Sequence, residues 1–470
     1  MVFSSPVFLF LFLTSVYILY RIIPGITAKN SLLLVFSILF YAYGEPKAIV
    51  IMIVSILMNY VFGLAMKAEN KYRKAVLAAS IVLNLSVLGV FKYAGFGAEL
   101  INFIPGVSIK IPQIALPIGI SFYTFQAMSY VIDSYKSPSY IQKNLFKLAL
   151  YITFFPQLVA GPIVKYYDFA DQIDHRTTTS EMTAQGMRRF VIGLSKKLFI
   201  ANTMAVAADY VYSLDNSELS LPLAWLGAVS YLFQIYFDFS GYSDMAIGLG
   251  KMFGFTFKEN FNYPYISQNM QEFWRRWHIS VSTWFKEYLY FPLGGNRKGK
   301  VRTAFNKLAV FFCTGLWHGA SLNFIVWGLI NGGFMMLESY KIINTDKWLK
   351  PFRHIYAMLV VIVAFVFFRA DTITDACIFI GNMFNPFEIS GGDAQFAMLI
   401  QQLTPLYITM LVLAILFSMP IWQKLRSKIS SKELLLYGET GSYVISLAML
   451  TLCIVSLSSA SYNPFIYFRF

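Results

Sequence analysis

Two of the four histidines lie where a titratable side chain is most informative about chemistry. His318 lies within residues 308–337, a stretch that contains no Asp, Glu, Lys or Arg. A neutral imidazole can act as a general base near pH 7, and an ionisable side chain at membrane depth is a candidate for function. Gly315 and Gly319 open one helix face beside it, for a substrate or for another helix. The alternative for His318 is a hydrogen-bonded packing role.

His278 lies in a different setting, in the amphipathic stretch 273–280, which reads FWRRWHIS. Aromatic and Arg residues mixed in this way are typical of the membrane interface or of a shallow re-entrant helix. The pattern leaves both a functional and an interfacial packing role open. Neither an HxxxH spacing nor a carboxylate cluster accompanies the two histidines, so we predict no metal site.

Two further groups of polar residues interrupt apolar sequence. The C-terminal residues 462–470 read YNPFIYFRF, and an exposed tail would not ordinarily carry so many aromatic side chains. We expect this tail to insert into a groove, with Tyr462 and Tyr467 as its hydroxyl groups; the alternative is that both anchor the chain at the interface. Asp238 and Asp244 are six residues apart and do not share a helix face. We interpret them as structural, bonded to buried backbone.

Apolar helices are the elements that must position these residues. Of the 470 residues, 57% are hydrophobic and 13% are charged, about half the charge of a soluble domain. The apolar residues form long uncharged blocks, most of them close to the roughly 20 residues that cross a bilayer as a helix. The composition excludes a disordered chain. It predicts an all-α polytopic membrane protein, residues 1–470 as one membrane domain, with roughly ten to twelve transmembrane helices and re-entrant segments.

The net charge of +14 indicates orientation. The basic residues cluster between the apolar blocks, in residues 67–74, 188–197, 297–302 and 424–432. Cytoplasmic loops collect Lys and Arg in this way, so the charge does not indicate nucleic acid. The last cluster predicts that one more span carries residues 459–470 to the extracytoplasmic side.

Several of these stretches together resemble the membrane-bound O-acyltransferase (MBOAT) superfamily, and within it the branch of bacterial alginate and polysaccharide O-acetyltransferases. The resemblance covers residues 110–330 and the C-terminus. It is carried by residues 116–123 (LPIGISFY), 155–163 (FPQLVAGPI), 236–250, 273–280 (FWRRWHIS), 316–320 (LWHGA) and 464–470 (PFIYFRF). It implies the MBOAT fold and a multi-pass protein of the bacterial cytoplasmic (inner) membrane.

The resemblance also implies roles for individual residues. His318 corresponds to the superfamily's catalytic histidine, and His278 to a second signature position near the reaction tunnel. The implied donor is a cytoplasmic acyl thioester, acetyl-CoA, with no tightly bound cofactor. Arg275 and Arg276 are candidates to bind its phosphates, although the enrichment of basic residues on the cytoplasmic side of a membrane protein accounts for them as well. We hypothesise that His318 activates the hydroxyl of Tyr467, which then carries the acyl group as an ester; the alternative is that the tail only docks or plugs.

The expected function is therefore transfer of an acetyl group across the membrane for O-acylation of an extracytoplasmic polysaccharide. The implied partners are a periplasmic or secreted acetyltransferase, the polysaccharide acceptor and membrane lipid. Two alternatives remain at this point: D-alanyl transfer to teichoic acid from a carrier protein, and a transporter of a glycan or lipid in which His318 relays protons.

Overall fold

The computed structural model describes residues 1–67, 69, 71–388, 392–428 and 432–459, and their regular structure is entirely helical. The α-helices are α1 (Thr14–Ile22), α2 (Ile26–Gly44), α3 (Ile49–Leu64), α4 (Arg73–Leu88), α5 (Ala94–Asn102), α6 (Ile120–Lys136), α7 (Leu145–Thr153), α8 (Phe155–Leu158), α9 (Tyr166–His175), α10 (Ser180–Ser195), α11 (Asn202–Tyr212), α12 (Leu221–Met252), α13 (Met270–Arg276), α14 (Ile279–Phe285), α15 (Gly299–His318), α16 (Leu322–Ser339), α17 (Lys350–Arg369), α18 (Ile373–Met383), α19 (Asp393–Gln402), α20 (Pro405–Phe417), α21 (Ile421–Arg426) and α22 (Lys432–Ser459).

Short stretches of other helix types join or extend these helices. Those with π-helical geometry are Val7–Leu13, Gly89–Tyr93, Lys196–Ala201 and Lys286–Tyr290. Those with 3₁₀ geometry are Pro138–Tyr140, Pro264–Ile266, Thr345–Lys347 and Pro386–Glu388. Because a π turn differs from an α turn in its hydrogen bonding, the π-helical stretches continue an α-helix with an altered register of side chains.

Five helices within the described residues are long and apolar enough to cross a membrane. They are Ile26–Gly44, Arg73–Asn102, Ser180–Tyr212, Lys350–Arg369 and Gly438–Ser459. Helices α19 and α20 pass the same test as a pair bent by 66°, as in a broken span or a re-entrant segment. The predicted all-α polytopic class is confirmed. Some predicted apolar blocks instead form shorter helices, such as Val7–Ile22 and Ile49–Leu64. The number of transmembrane helices, ten to twelve, stays a prediction.

The chain folds into two compact units. The first contains Met1–Phe190 and Ser243–Lys258, and the second contains Val191–Tyr242 and Glu259–Phe470. Helices α10 and α12 contribute residues to both. The interpretation of residues 1–470 as one membrane domain stays a prediction. Both candidate histidines belong to the second unit.

Polar pairs join helices inside the first unit. Asn59 of α3 and Asn84 of α4 are buried and exchange two side-chain hydrogen bonds, of 3.0 and 2.9 Å. Asp244 of α12 pairs with Arg189 of α10 at 2.8 Å. Because an apolar surround offers no water to such groups, each needs a partner in the protein, and these pairs hold neighbouring helices in register.

Helices α15 and α16 form a closely packed antiparallel hairpin in the second unit. A Cβ atom added at Gly315 would overlap the carbonyl oxygen of Phe324, and one added at Gly328 would overlap that of Phe311. Small residues allow helix backbones to approach in this way. The helix face beside His318 that the sequence left open to a substrate or a helix is therefore filled by α16.

Candidate active site

His318 is the last residue of α15, and aromatic rings surround it. The side chain is 6% exposed, and Gly319 follows in an extended conformation that ends the helix. Trp327 of α16 and Phe368 of α17 present edge contacts, with ring centroids 5.0 and 5.2 Å from the imidazole. Trp317 lies 4.9 Å away. Three helices thus fix the position of one imidazole.

His278 lies at the sharp bend between α13 and α14. Its backbone is left-handed, with φ 43° and ψ 53°, a conformation uncommon for a residue with a side chain, in which histidine is nonetheless over-represented. The side chain is fully buried. Phe239 of α12 makes an edge contact at 4.5 Å, and Phe261 lies 6.3 Å away with nearly parallel ring planes.

Asn260 ties this bend to the preceding loop. Its side-chain oxygen lies 3.2 Å from His278 Nδ1 and accepts the backbone N–H of Ser280 at 3.0 Å. Its backbone oxygen accepts the N–H of Ile279 at 2.9 Å. Asn260 is itself fully buried. The sequence gives no signal for this role of Asn260, because eighteen residues separate it from His278 and no spacing rule connects two positions of that kind.

The two imidazoles are neighbours. Their ring centroids are 6.1 Å apart, and Trp317 contacts both, at 5.8 Å from His278 and 4.9 Å from His318. Two buried imidazoles side by side can together remove a proton from a hydroxyl and return it to a leaving group. Within the described residues, no group of three or more His, Cys, Asp or Glu side chains is placed to hold a metal ion.

The two aspartates of α12 form ion pairs. Asp238 pairs with Lys197 at 2.8 Å, and both side chains are buried. Asp244 pairs with Arg189 in the first unit. The sequence pattern predicts buried backbone as the partner of both aspartates. The structure supports their structural role but supplies basic side chains as partners, because a buried carboxylate needs a counter-charge more than a neutral donor.

The two candidate arginines of α13 differ in their surroundings. Arg276 pairs with Glu272 at 2.9 Å and donates to the backbone oxygen of Asn262 at 3.1 Å. Arg275 is exposed and lines an open cavity of about 440 Å³ together with Lys341 and other polar residues. Arg276 does not line this cavity, so only Arg275 has the surroundings of a ligand contact there.

Tyr467 and the rest of the aromatic tail, residues 460–470, lie outside the described residues. The hypothesis that Tyr467 carries the acyl group stays a prediction.

The sequence model of the membrane-bound O-acyltransferase family matches residues 38–379, a range that contains His278 and His318. The chain belongs to the membrane-bound O-acyltransferase family. The predicted family is thereby confirmed, and the protein is a membrane-bound O-acyltransferase with several membrane-spanning helices.

Individual relatives of this O-acyltransferase extend the match. A probable alginate O-acetylase of Pseudomonas putida is 41% identical over 100% of both chains. The peptidoglycan O-acetyltransferase of Helicobacter pylori is 36% identical and covers 80% of this chain and 78% of its own length. The teichoic acid D-alanyltransferase of Bacillus subtilis is 30% identical over 50% of this chain and 61% of its own. Membership of an acyltransferase family favours an enzyme over a transporter.

Proposed function

We propose that this enzyme transfers an acetyl group from a cytoplasmic thioester to hydroxyl groups of an extracytoplasmic polysaccharide, in the bacterial inner membrane. The observation that carries the proposal is the pair of buried, neighbouring imidazoles of His278 and His318, 6.1 Å apart. Acyl transfer to a hydroxyl needs a base to raise its nucleophilicity. His318 serves as that base, and His278 is the second imidazole at the reacting groups.

The polysaccharide acceptor is supported by the relatives. A full-length relative is named for O-acetylation of alginate and another for O-acetylation of peptidoglycan, and both are glycans outside the cytoplasm. In each case the acceptor oxygen is a sugar hydroxyl. We extend this acceptor class to the present enzyme.

The donor is proposed to enter at the end of the α15–α16 hairpin that carries the basic residues 297–302. At this end Tyr340 donates to the backbone oxygen of Lys300, and Lys307 donates to Ser339 at 2.6 Å. Positive residues mark the cytoplasmic side. The cavity lined by Arg275 and Lys341 lies here, beside Ser339.

Acetyl-CoA is proposed to bind in this cavity through the two cationic side chains that line it. Cationic groups bind phosphate oxygens through charge-assisted hydrogen bonds, and Arg275 and Lys341 supply them. Arg275 precedes His278 by three residues, at most about 10 Å of chain. The cavity is also lined by Glu338 and Asp346, which oppose an anion; Glu338 is engaged with the backbone N–H groups of Met270 and Gln271, at 2.7 and 3.1 Å.

A second candidate is D-alanyl transfer to teichoic acid from a thioester on a carrier protein. The relative from Bacillus subtilis favours it, although over half of the chain only. The two candidates share the pair of histidines and differ in the acyl group. Purified enzyme offered acetyl-CoA or a D-alanyl thioester of a carrier protein would separate them by which thioester is consumed.

The central test is thioester consumption by the purified enzyme in lipid vesicles. We expect His318→Ala to lower the rate about 10³-fold, since loss of general base catalysis costs about 10²–10⁴-fold. His175→Ala is the control, because His175 lies at the end of α9 in the first unit. A His318→Ala enzyme that keeps most of its activity, with an unchanged melting temperature, would remove His318 as the essential base.

The route beyond the membrane is proposed to run through Tyr467 and a periplasmic or secreted acetyltransferase. The Tyr467 hydroxyl attacks the thioester carbonyl, its proton passes to His318, and the thiol leaves with a proton, so that an aryl ester remains. Tyr467→Phe removes only the hydroxyl. We expect it to abolish acetyl delivery to the polysaccharide, measured with a radiolabelled acetyl group, while Tyr462→Phe retains it. Normal delivery by Tyr467→Phe would contradict the relay.

A further inference from the structure

Asn260 shows which of its two side-chain atoms faces His278. One amide atom contacts both the backbone N–H of Ser280, at 3.0 Å, and Nδ1 of His278, at 3.2 Å. A backbone N–H can only donate, so the atom it meets must be the amide oxygen. The orientation of the Asn260 amide is therefore fixed by the backbone, independently of the histidine.

This orientation determines where the proton of His278 lies. A carbonyl oxygen has two lone pairs and no proton, so it can accept a second hydrogen bond but cannot donate one. His278 Nδ1 must then be the donor. In a neutral imidazole one nitrogen donates and the other accepts, which leaves Nε2 with the free electron pair.

We propose that Asn260 is a positioning residue for the acyl transfer, holding His278 as the Nδ1-protonated tautomer so that Nε2 is its proton-accepting nitrogen. The inference rests on the proposed function for its catalytic meaning. An amide oxygen that orients a catalytic imidazole also occurs in the Cys-His-Asn sites of unrelated hydrolases. Held in this way, His278 can accept a proton from a reacting hydroxyl, whereas it cannot donate a hydrogen bond from Nε2 until it has taken one up.

Asn260 also maintains the bend that presents the ring. The first N–H groups of a helix lack partners within the helix, and His278, the residue before α14, makes no side-chain cap. Asn260 accepts hydrogen bonds from two of these groups instead. Its backbone oxygen accepts the N–H of Ile279, and its side-chain oxygen accepts the N–H of Ser280. One residue thereby fixes both the left-handed backbone and the tautomer of His278.

The nitrogen of the Asn260 side-chain amide can be replaced without loss of the oxygen acceptor. Within the described residues, the buried Nδ2 of Asn260 has no hydrogen-bond partner. Asn260→Asp keeps the oxygen acceptor for both His278 and Ser280 and adds a negative charge beside the imidazole. Asn260→Leu has similar size and removes the acceptor. The two variants therefore separate hydrogen-bond acceptance from packing.

The direct test is nitrogen NMR of the enzyme labelled with ¹⁵N-histidine, which has only four histidines. His278→Gln identifies the His278 signals by their loss. We expect a protonated Nδ1 and an unprotonated Nε2 in the wild-type enzyme, a protonated Nδ1 in Asn260→Asp, and a mixture of tautomers in Asn260→Leu. A His278 ring protonated at Nε2, or at both nitrogens, in the wild-type enzyme would overturn the inference without any variant.

Activity supplies the second readout. We expect Asn260→Leu to lower thioester consumption about 10–10²-fold, the size of effect that follows from leaving a buried hydrogen-bond donor unsatisfied. Asn306→Leu is the matched control. Asn306 is also fully buried in the second unit and donates to the backbone oxygen of Gly295 at 2.9 Å; its substitution should leave the His278 tautomer unchanged.

The NMR spectrum and the activity together distinguish failure of the proposed function from failure of the inference about Asn260. If the wild-type enzyme consumes no thioester, the proposed function fails, and the NMR spectrum still decides whether Asn260 sets the tautomer. Wild-type activity and a wild-type tautomer in folded Asn260→Leu would overturn the positioning role. If Asn260→Leu does not fold, the wild-type spectrum decides the question, because the position of the proton on His278 is read there without any variant.

Discussion

The two histidines of the site are held by different kinds of contact. His318 lies at the end of a long helix among Trp317, Trp327 and Phe368, and these rings come from α15, α16 and α17. His278 lies at a left-handed bend between two helices of seven residues each, where an amide oxygen faces Nδ1. Packing of helices places the first ring, and hydrogen bonding to one loop residue orients the second.

This difference predicts different sensitivities. Aromatic contacts are broad in distance and angle and contribute about 0.5–1.5 kcal/mol each, so another apolar residue replaces much of one contact. A hydrogen bond that sets a tautomer has no partial substitute, because without it a neutral imidazole can carry its proton on either nitrogen. Changes around His278 should therefore affect turnover more than stability, and conservative changes around His318 should affect both slightly.

The largest effect among the variants that probe this difference is expected for His278→Gln. We expect about a 10²-fold lower rate of thioester consumption, because the amide cannot accept a proton near neutral pH. The melting temperature should change little, since glutamine retains polar atoms able to reach Asn260. His354→Gln is the control, a histidine whose Nδ1 lies 3.1 Å from the backbone oxygen of Ser267. Equal losses in both variants would contradict a role of His278 in the reaction.

The next effect is expected at the hairpin that places His318. Gly315→Ala would drive a Cβ into the carbonyl oxygen of Phe324, and overpacking of this kind costs about 1–3 kcal/mol. We expect a lower melting temperature in detergent. Gly333→Ala in α16 is the matched control, because a Cβ there meets no atom within 4 Å and alanine favours helix. Equal melting temperatures for the two variants would show that the close approach at Gly315 is not essential.

The sequence predicted the helical membrane class and the family, because these depend on local composition and on motifs; the catalytic roles of His278 and His318 stay predictions. Gly315 and His318 lie within one helix, and the pattern of this segment left either a substrate or another helix open as its neighbour; α16 takes that place. The sequence did not reveal Asn260, whose role arises only when a loop folds back on a bend eighteen residues later. It also did not reveal that Asp238 pairs with Lys197, since charge partners from separate helices share no spacing rule.

The smallest effect is expected for Phe368→Leu, which tests the aromatic side of the comparison. The Phe368 ring lies 5.2 Å from His318, 5.0 Å from Trp327 and 4.9 Å from Phe324. Leucine keeps the apolar character but loses the edge contacts, so we expect a loss of about 0.5–1.5 kcal/mol in the free energy of unfolding. Because these contacts also position the His318 ring, we expect the rate to fall by less than about tenfold, which corresponds to about 1.4 kcal/mol in the activation free energy.

Phe379→Leu is the matched control. Phe379 lies in α18, away from both histidines in sequence, and is as buried as Phe368. Its ring stacks on that of Tyr212, with the ring centroids 4.4 Å apart. It should lower the melting temperature by a similar amount and leave the rate unchanged. If Phe368→Leu slowed the enzyme as much as Asn260→Leu does, the aromatic rings would orient His318 as strictly as the amide oxygen orients His278. The distinction between a packed and a hydrogen-bonded histidine would then not describe how this site works.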